Sequence, residues 1–138
     1  AVATMNIAGH DVSNRVTVLE SDLFSGLATG QIFDLIVSNP PYVDAEDIAS
    51  MPEEYQHEPE LALASGDDGL DFTRRLLQQA EQHLSAVGVL VVEVGNSWVA
   101  LERAFPAVPF VWLEFSEGDS GVFVLTRDQL VEHRESFQ

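Results

Sequence analysis

Apolar and polar positions change their period along the chain, and the changes divide it into elements. Residues Arg15–Glu20, "RVTVLE", alternate and are β-branched, which predicts a strand. Residues Phe33–Ser38, "FDLIVS", run apolar after one acid, which suits a strand buried on both faces of a parallel sheet. "GVLVVEV", Gly88–Val94, reads the same way. "FVWLEF", Phe110–Phe115, and "VFVLT", Val122–Thr126, are two further strands joined through "EGDSG". Elsewhere the period is helical. Residues Asp68–Leu84 line up Phe72, Leu76, Leu77 and Ala80 as one stripe, with Asp67 or Asp68 as the cap. Ser97–Phe105 predicts a shorter helix, with Ser97 as cap and Pro106 as stop. "AVATMNIAGH" predicts a helix closing at Gly9, and another short helix begins near Asp128. Residues 43–66 read as a long loop with short helical pieces.

Strands that alternate with helices indicate an α/β sheet. The last two strands are joined too tightly for a crossover, so they must be antiparallel. A parallel sheet ending in an antiparallel hairpin is the usual tail of the methyltransferase version of the doubly wound fold.

Composition narrows the range of functions. The chain has 138 residues, enough for one domain, and 46% of them are hydrophobic. Its net charge is −17; all six basic residues are arginines. That field repels nucleic acid backbones and attracts basic partners, which argues against direct nucleic acid binding. There is no cysteine, hence no disulfide and no thiolate site, as is usual in the cytosol. No apolar run approaches the roughly 20 residues that span a bilayer, and no signal peptide is visible. His10, His57, His83 and His133 are scattered without metal-ligand spacing, so no metal is expected. The chain opens inside a helix without an initiator methionine, which leads us to expect part of a longer protein.

The chemistry concentrates at Asn39-Pro40-Pro41-Tyr42, directly after the second strand. Ligands of open α/β sheets bind beyond the carboxyl ends of the strands. Each proline fixes its own φ near about −65° and restricts the residue before it, so the carbonyls of Asn39 and Pro40 are aimed. Neither proline can donate. The stretch therefore presents acceptors, the Asn39 side-chain oxygen and a rigid carbonyl, beside the flat face of Tyr42. That set suits a planar substrate bearing an –NH2 group. Two accepted hydrogen bonds can hold a poorly nucleophilic amide so that its nitrogen lone pair meets an electrophile. Such orientation removes at most about 7–11 kcal/mol from a barrier. The competing reading is a double-proline turn with Tyr42 as packing.

"SNPPYV", followed by "EP", "LA", "SGDDGLDFTRRLL" and "GVLVVEVG", resembles the protein-glutamine methyltransferases of the HemK type. The resemblance covers nearly the whole chain. It implies transfer of a methyl group from S-adenosylmethionine to a glutamine side-chain amide. One branch of that family modifies the Gly-Gly-Gln motif of peptide-chain release factors; the other modifies ribosomal protein 3 of the large subunit. "EYQHEPELALASGDDGLDFTRRLL" and "EVGNSWVALERAFPAVPFVWLEFSEGDSGVFVLT" look more like the ribosomal-protein branch. Adenine-specific nucleic acid methyltransferases share Asn-Pro-Pro-Tyr and are the enzyme alternative. A non-catalytic α/β interaction module is a further one.

The resemblance assigns roles by position. Asn39 matches the ligand of the substrate amide and also borders the cofactor. Pro40 offers its carbonyl to the same amide, and Pro41 and Tyr42 complete the pocket. Asp22 and Leu23, in "SDLF", match the seat of the cofactor's adenine, Asp22 accepting from the amine and Leu23 covering the ring. Read alone, Asp22 is equally a turn residue and Leu23 a core residue. Glu58, Pro59, Ser65 and Gly66 fall in a loop on the substrate side or in a plainly solvated one. Between Asp44 and Glu60 lie seven carboxylates and no basic residue, a lure for a basic ribosomal protein or an ordinary soluble surface. Trp98 and Trp112 read as buried or partly buried packing residues.

The family's glycine-rich cofactor loop and its ribose-binding acid are not found; "SGLATG" and "EVGNS" stand in the wrong contexts. The family sheet has strand order 3-2-1-4-5-7-6. The chain is thus expected to supply strands 3-4-5-7-6, strand 7 antiparallel, with strands 1 and 2 missing. It would be one partial catalytic domain over residues 1–138. Two apolar strand edges would then be open to pairing between chains, and the piece alone is expected to bind no cofactor.

Overall fold

The computed structural model describes residues 2–40, 69–116 and 121–138. The chain divides into two compact units, Ala1–Gln31 and Ile32–Gln138.

The first unit holds helix α1, Val2–Gly9, which ends at the predicted glycine. The predicted strand at Arg15–Glu20 is not formed. Val16, Val18 and Leu19 are 42%, 48% and 51% exposed; the N–H groups of Arg15 and Val16 donate to the Val12 carbonyl in a turn, and no strand partner lies among the described residues. An alternating segment becomes a strand only when a neighbour takes its N–H and C=O groups and its side chains. The described residues of the first unit offer no such strand.

Among the described residues the second unit holds a four-stranded mixed sheet. Its elements are β1 (Phe33–Ser38), α2 (Asp71–Ala80), β2 (Leu84–Glu93), α3 (Trp98–Ala104), β3 (Val111–Leu113), β4 (Val122–Thr126) and α4 (Arg127–Glu132). The spatial order is β1-β2-β4-β3. β1 and β2 run parallel, while β4 is antiparallel to both β2 and β3. An α/β sheet with a closing antiparallel pair is as expected; its four strands replace the expected five.

Local chemistry sets the boundaries. β2 begins earlier than expected because its register with β1 shifts between the pairs Phe33↔Leu84 and Leu35↔Val89. Ser85 Oγ donates to Asp34 Oδ1 at 2.7 Å beside that irregularity. Gly88 permits it, since a Cβ there would stand 3.0 Å from the Ser85 backbone. α2 starts after Leu70 with no side-chain cap; Asp67 and Asp68 lie outside the described residues. Thr73 is buried with Leu76, Leu77 and Ala80, whereas Phe72 is half-buried. Past Ala80 the helix tightens into a 3₁₀ turn, Glu81–His83, short of the predicted end at Leu84. Ser97 precedes α3 without a side-chain cap bond, and α3 ends before Pro106 as predicted. α4 opens with a capping box: Gln129 N–H donates to Thr126 Oγ1 at 3.2 Å, and Thr126 N–H to Gln129 Oε1 at 2.8 Å.

Side chains alternate across the sheet. Leu90, Val92, Phe123 and Leu125 are fully buried on the helix-covered face, where α4 packs on β2 and α2 packs on α4. Phe123 meets Phe110 and Trp112 edge-on, Phe110 and Trp112 pack tilted, and Trp98 meets Trp112 at 6.0 Å between centroids. Trp112 is half-buried and its indole N–H donates to Glu102 at 2.9 Å; Trp98 stays partly exposed. The opposite face carries Leu35 and Val37, which are 54% and 67% exposed. β1 is therefore covered on one side rather than on both.

Candidate functional site

Parallel pairing brings the carboxyl ends of β1 and β2 to one edge of the sheet. β4, antiparallel to β2, begins at that same edge. Ser38 is the last bonded residue of β1 and pairs with Val92. The next residue, Asn39, is exposed, and Pro40 is buried. A residue before proline stays extended, so the strand leaves the sheet with the Asn39 side chain in solvent and the Pro40 ring packed. Pro41, Tyr42, Glu58, Pro59, Ser65 and Gly66, and the acidic run Asp44–Glu60, lie outside the described residues.

The neighbouring strand end is stiff. The Val94 N–H donates to the Gly121 carbonyl at 2.7 Å, and Ser97 N–H to the Val94 carbonyl at 3.0 Å. Gly121 has φ of +91°, and a Cβ on it would stand 2.2 Å from the Gly95 oxygen. Only glycine fits so close a crossing of two backbones. The exit of β2 and the entry of β4 are thereby clamped beside the exit of β1. Sequence reasoning passed over Gly95 and Gly121; the available signal was a glycine closing one strand and another opening the next.

Asp22 and Leu23 belong to the first unit and Asn39 to the second. In the first unit the Ser21 hydroxyl donates to the Leu23 carbonyl at 2.9 Å and accepts from Gly26 N–H at 2.7 Å. This tight loop holds Leu23 at φ of +49°, a conformation that costs a non-glycine residue about 1–2 kcal/mol. Asp22 is exposed and Leu23 half-buried. An exposed acceptor beside a fixed apolar side chain fits the edge and face of an adenine ring. Among the described residues no glycine-rich loop follows a strand to seat the rest of such a cofactor.

Other features fall away from this edge. A polar cavity of about 340 Å³ is lined by Gln78, Glu81, Gln82, Arg134 and Gln138. Its buried Glu81 is paired with Arg134 at 2.6 Å. No group of metal-ligating side chains occurs among the described residues, and none of their helices is long and apolar enough to cross a membrane.

The fold is a mixed α/β sheet with a polar, proline-braced strand exit at the edge where open α/β sheets generally take ligands. Comparison with known sequences is more particular. A scan of protein-family models finds no match. The chain is 52% identical over 138 residues to the ribosomal protein uL3 glutamine methyltransferase of Francisella tularensis, covering all of this chain and 44% of that protein. It is 54% identical over 130 residues to the Neisseria gonorrhoeae protein of the same name, and 53% to that of Neisseria meningitidis serogroup A. Those alignments cover 94% of this chain and 43% and 42% of the relatives. The chain is thus a homologue of ribosomal protein uL3 glutamine methyltransferases and spans less than half of their length.

Proposed function

We propose that this chain is the substrate-amide part of an S-adenosylmethionine-dependent methyltransferase acting on a glutamine of ribosomal protein uL3. The supporting observation is Asn39-Pro40 at the exit of a parallel strand, in a chain similar over its whole length to proteins of that name. Asn39 Oδ1 and the Pro40 carbonyl accept the two amide N–H groups of the glutamine. Tyr42 and Pro41 wall the pocket. Held so, the amide nitrogen keeps its lone pair turned away from both acceptors, along one direction, and orientation rather than a strong base supplies the catalysis. When bound, S-adenosylmethionine supplies an electrophilic methyl group on positively charged sulfur. Asp22 and Leu23 would hold its adenine, and Asn39 would border it.

The −17 charge favours a basic ribosomal protein and disfavours a nucleic acid substrate. Such an enzyme works where ribosomal proteins are made and assembled, in the cytoplasm. The release-factor reading keeps the same chemistry and changes only the docking partner. Methyl transfer by the full-length enzyme to purified uL3 and to a release factor separates the two. Faster transfer to uL3 supports the proposal, and preference for the release factor's Gly-Gly-Gln overturns it.

A further inference from the structure

Resting on the proposal that uL3 is the substrate, we infer that Trp98 and Glu102 form a subsite for a lysine or arginine side chain of that substrate, about three to six residues from the methylated glutamine. Asn39 and Pro40 recognise an amide, and every glutamine carries one. Choice of one glutamine needs a second contact along the same edge of the sheet.

Strand register places that contact. Ser38, Val92, Phe123 and Trp112 are partners in one row across β1, β2, β4 and β3. Three strand spacings of about 4.8 Å separate the ends of that row, roughly 14 Å in all. Trp98 opens α3, the helix that follows β2, and its ring meets Trp112 at 6.0 Å. A peptide with its glutamine at Asn39 rises about 3.3 Å per residue when extended, so it reaches the Trp98 ring within about three to six residues. The ring is available. Trp112 is enclosed by Phe110, Phe123 and Trp98, whereas among the described residues Trp98 has Trp112 as its one ring neighbour and remains 39% exposed. The exposed Glu102 lies one turn on from Trp98, on the same face of α3. Its Oε1 accepts the Trp112 indole N–H at 2.9 Å, which holds the carboxylate beside the ring pair. An indole face attracts a cation, and a carboxylate held next to it adds charge attraction. A neutral apolar side chain gains nothing from Glu102. Arg103, the basic residue of α3, lies about 100° further round the helix and does not face that pair. The net charge of −17 makes a basic segment the matching occupant.

The test measures methyl transfer to purified uL3 by the full-length enzyme. Trp98→Ala raises KM by about 3–30-fold and leaves kcat within about twofold, because the subsite is remote from the reacting nitrogen. Glu102→Gln keeps an acceptor for the Trp112 indole and removes only the charge. Its KM rises about 2–5-fold, and the rise fades as salt is added. In uL3, the lysines and arginines within about three to six residues of the methylated glutamine are changed to alanine one at a time. One such change reproduces the rise in KM, and on that uL3 variant Trp98→Ala has no further effect. A Trp98→Ala loss that falls on kcat, or that survives every one of those uL3 changes, overturns the inference. An unchanged KM in Glu102→Gln overturns it too, since the ring then holds an apolar group. Calorimetry of uL3 binding gives a reading besides turnover: Trp98→Ala weakens binding by the same factor as KM, and unaltered binding contradicts the subsite. If the parent enzyme does not methylate uL3 yet Trp98→Ala weakens its binding, the functional reading fails while the subsite stands.

Discussion

The two faces of the sheet use similar residues in unlike surroundings. On one face Leu90, Val92, Phe123 and Leu125 are fully buried against helices. On the other, Leu35, Val37 and Val111 are more than half exposed. Apolar character alone does not make a core; removal from water does, at roughly 25 cal/mol per Å² of apolar surface buried. The covered face carries the stability of the second unit. The open face is a row of valines and leucines whose contribution within this chain is small. Asn39 follows the last bonded residue of β1, at the carboxyl edge of that sheet.

Substitutions can sharpen this contrast. Phe123→Ala, which empties the middle of the covered face and its aromatic group, should cost about 3–5 kcal/mol in urea-induced unfolding. Gly121→Ala should cost about 1–3 kcal/mol in the same measurement, because a Cβ meets the Gly95 backbone and the positive φ is strained. Val37→Thr on the open face should stay within about 0.5 kcal/mol. If Val37→Thr proves as damaging as Phe123→Ala, the open face is covered in solution and the contrast fails.

Much of the second unit could be read from residue order, because its signals were local. A short turn forced β3 and β4 to be antiparallel, and period and prolines located α2 and α3 to within a few residues. The strand exit at Asn39-Pro40 was legible because prolines act on their own backbone. What depended on distant partners was not legible. "RVTVLE" has the pattern of a strand and finds no strand to pair with among the described residues. "FDLIVS" has the composition of a doubly buried strand and is covered on one side only. The Gly95–Gly121 crossing follows from the approach of distant backbones, which no single stretch encodes.

The central claim is that Asn39 holds the amide to be methylated. It is tested most directly by the turnover of full-length Asn39→Ala on uL3, with folding checked by thermal unfolding. Removing one preorganised hydrogen-bonding group at the reacting centre is expected to lower kcat by about 10²–10³-fold, with stability unchanged because Asn39 is exposed. Wild-type turnover in that variant would contradict the account.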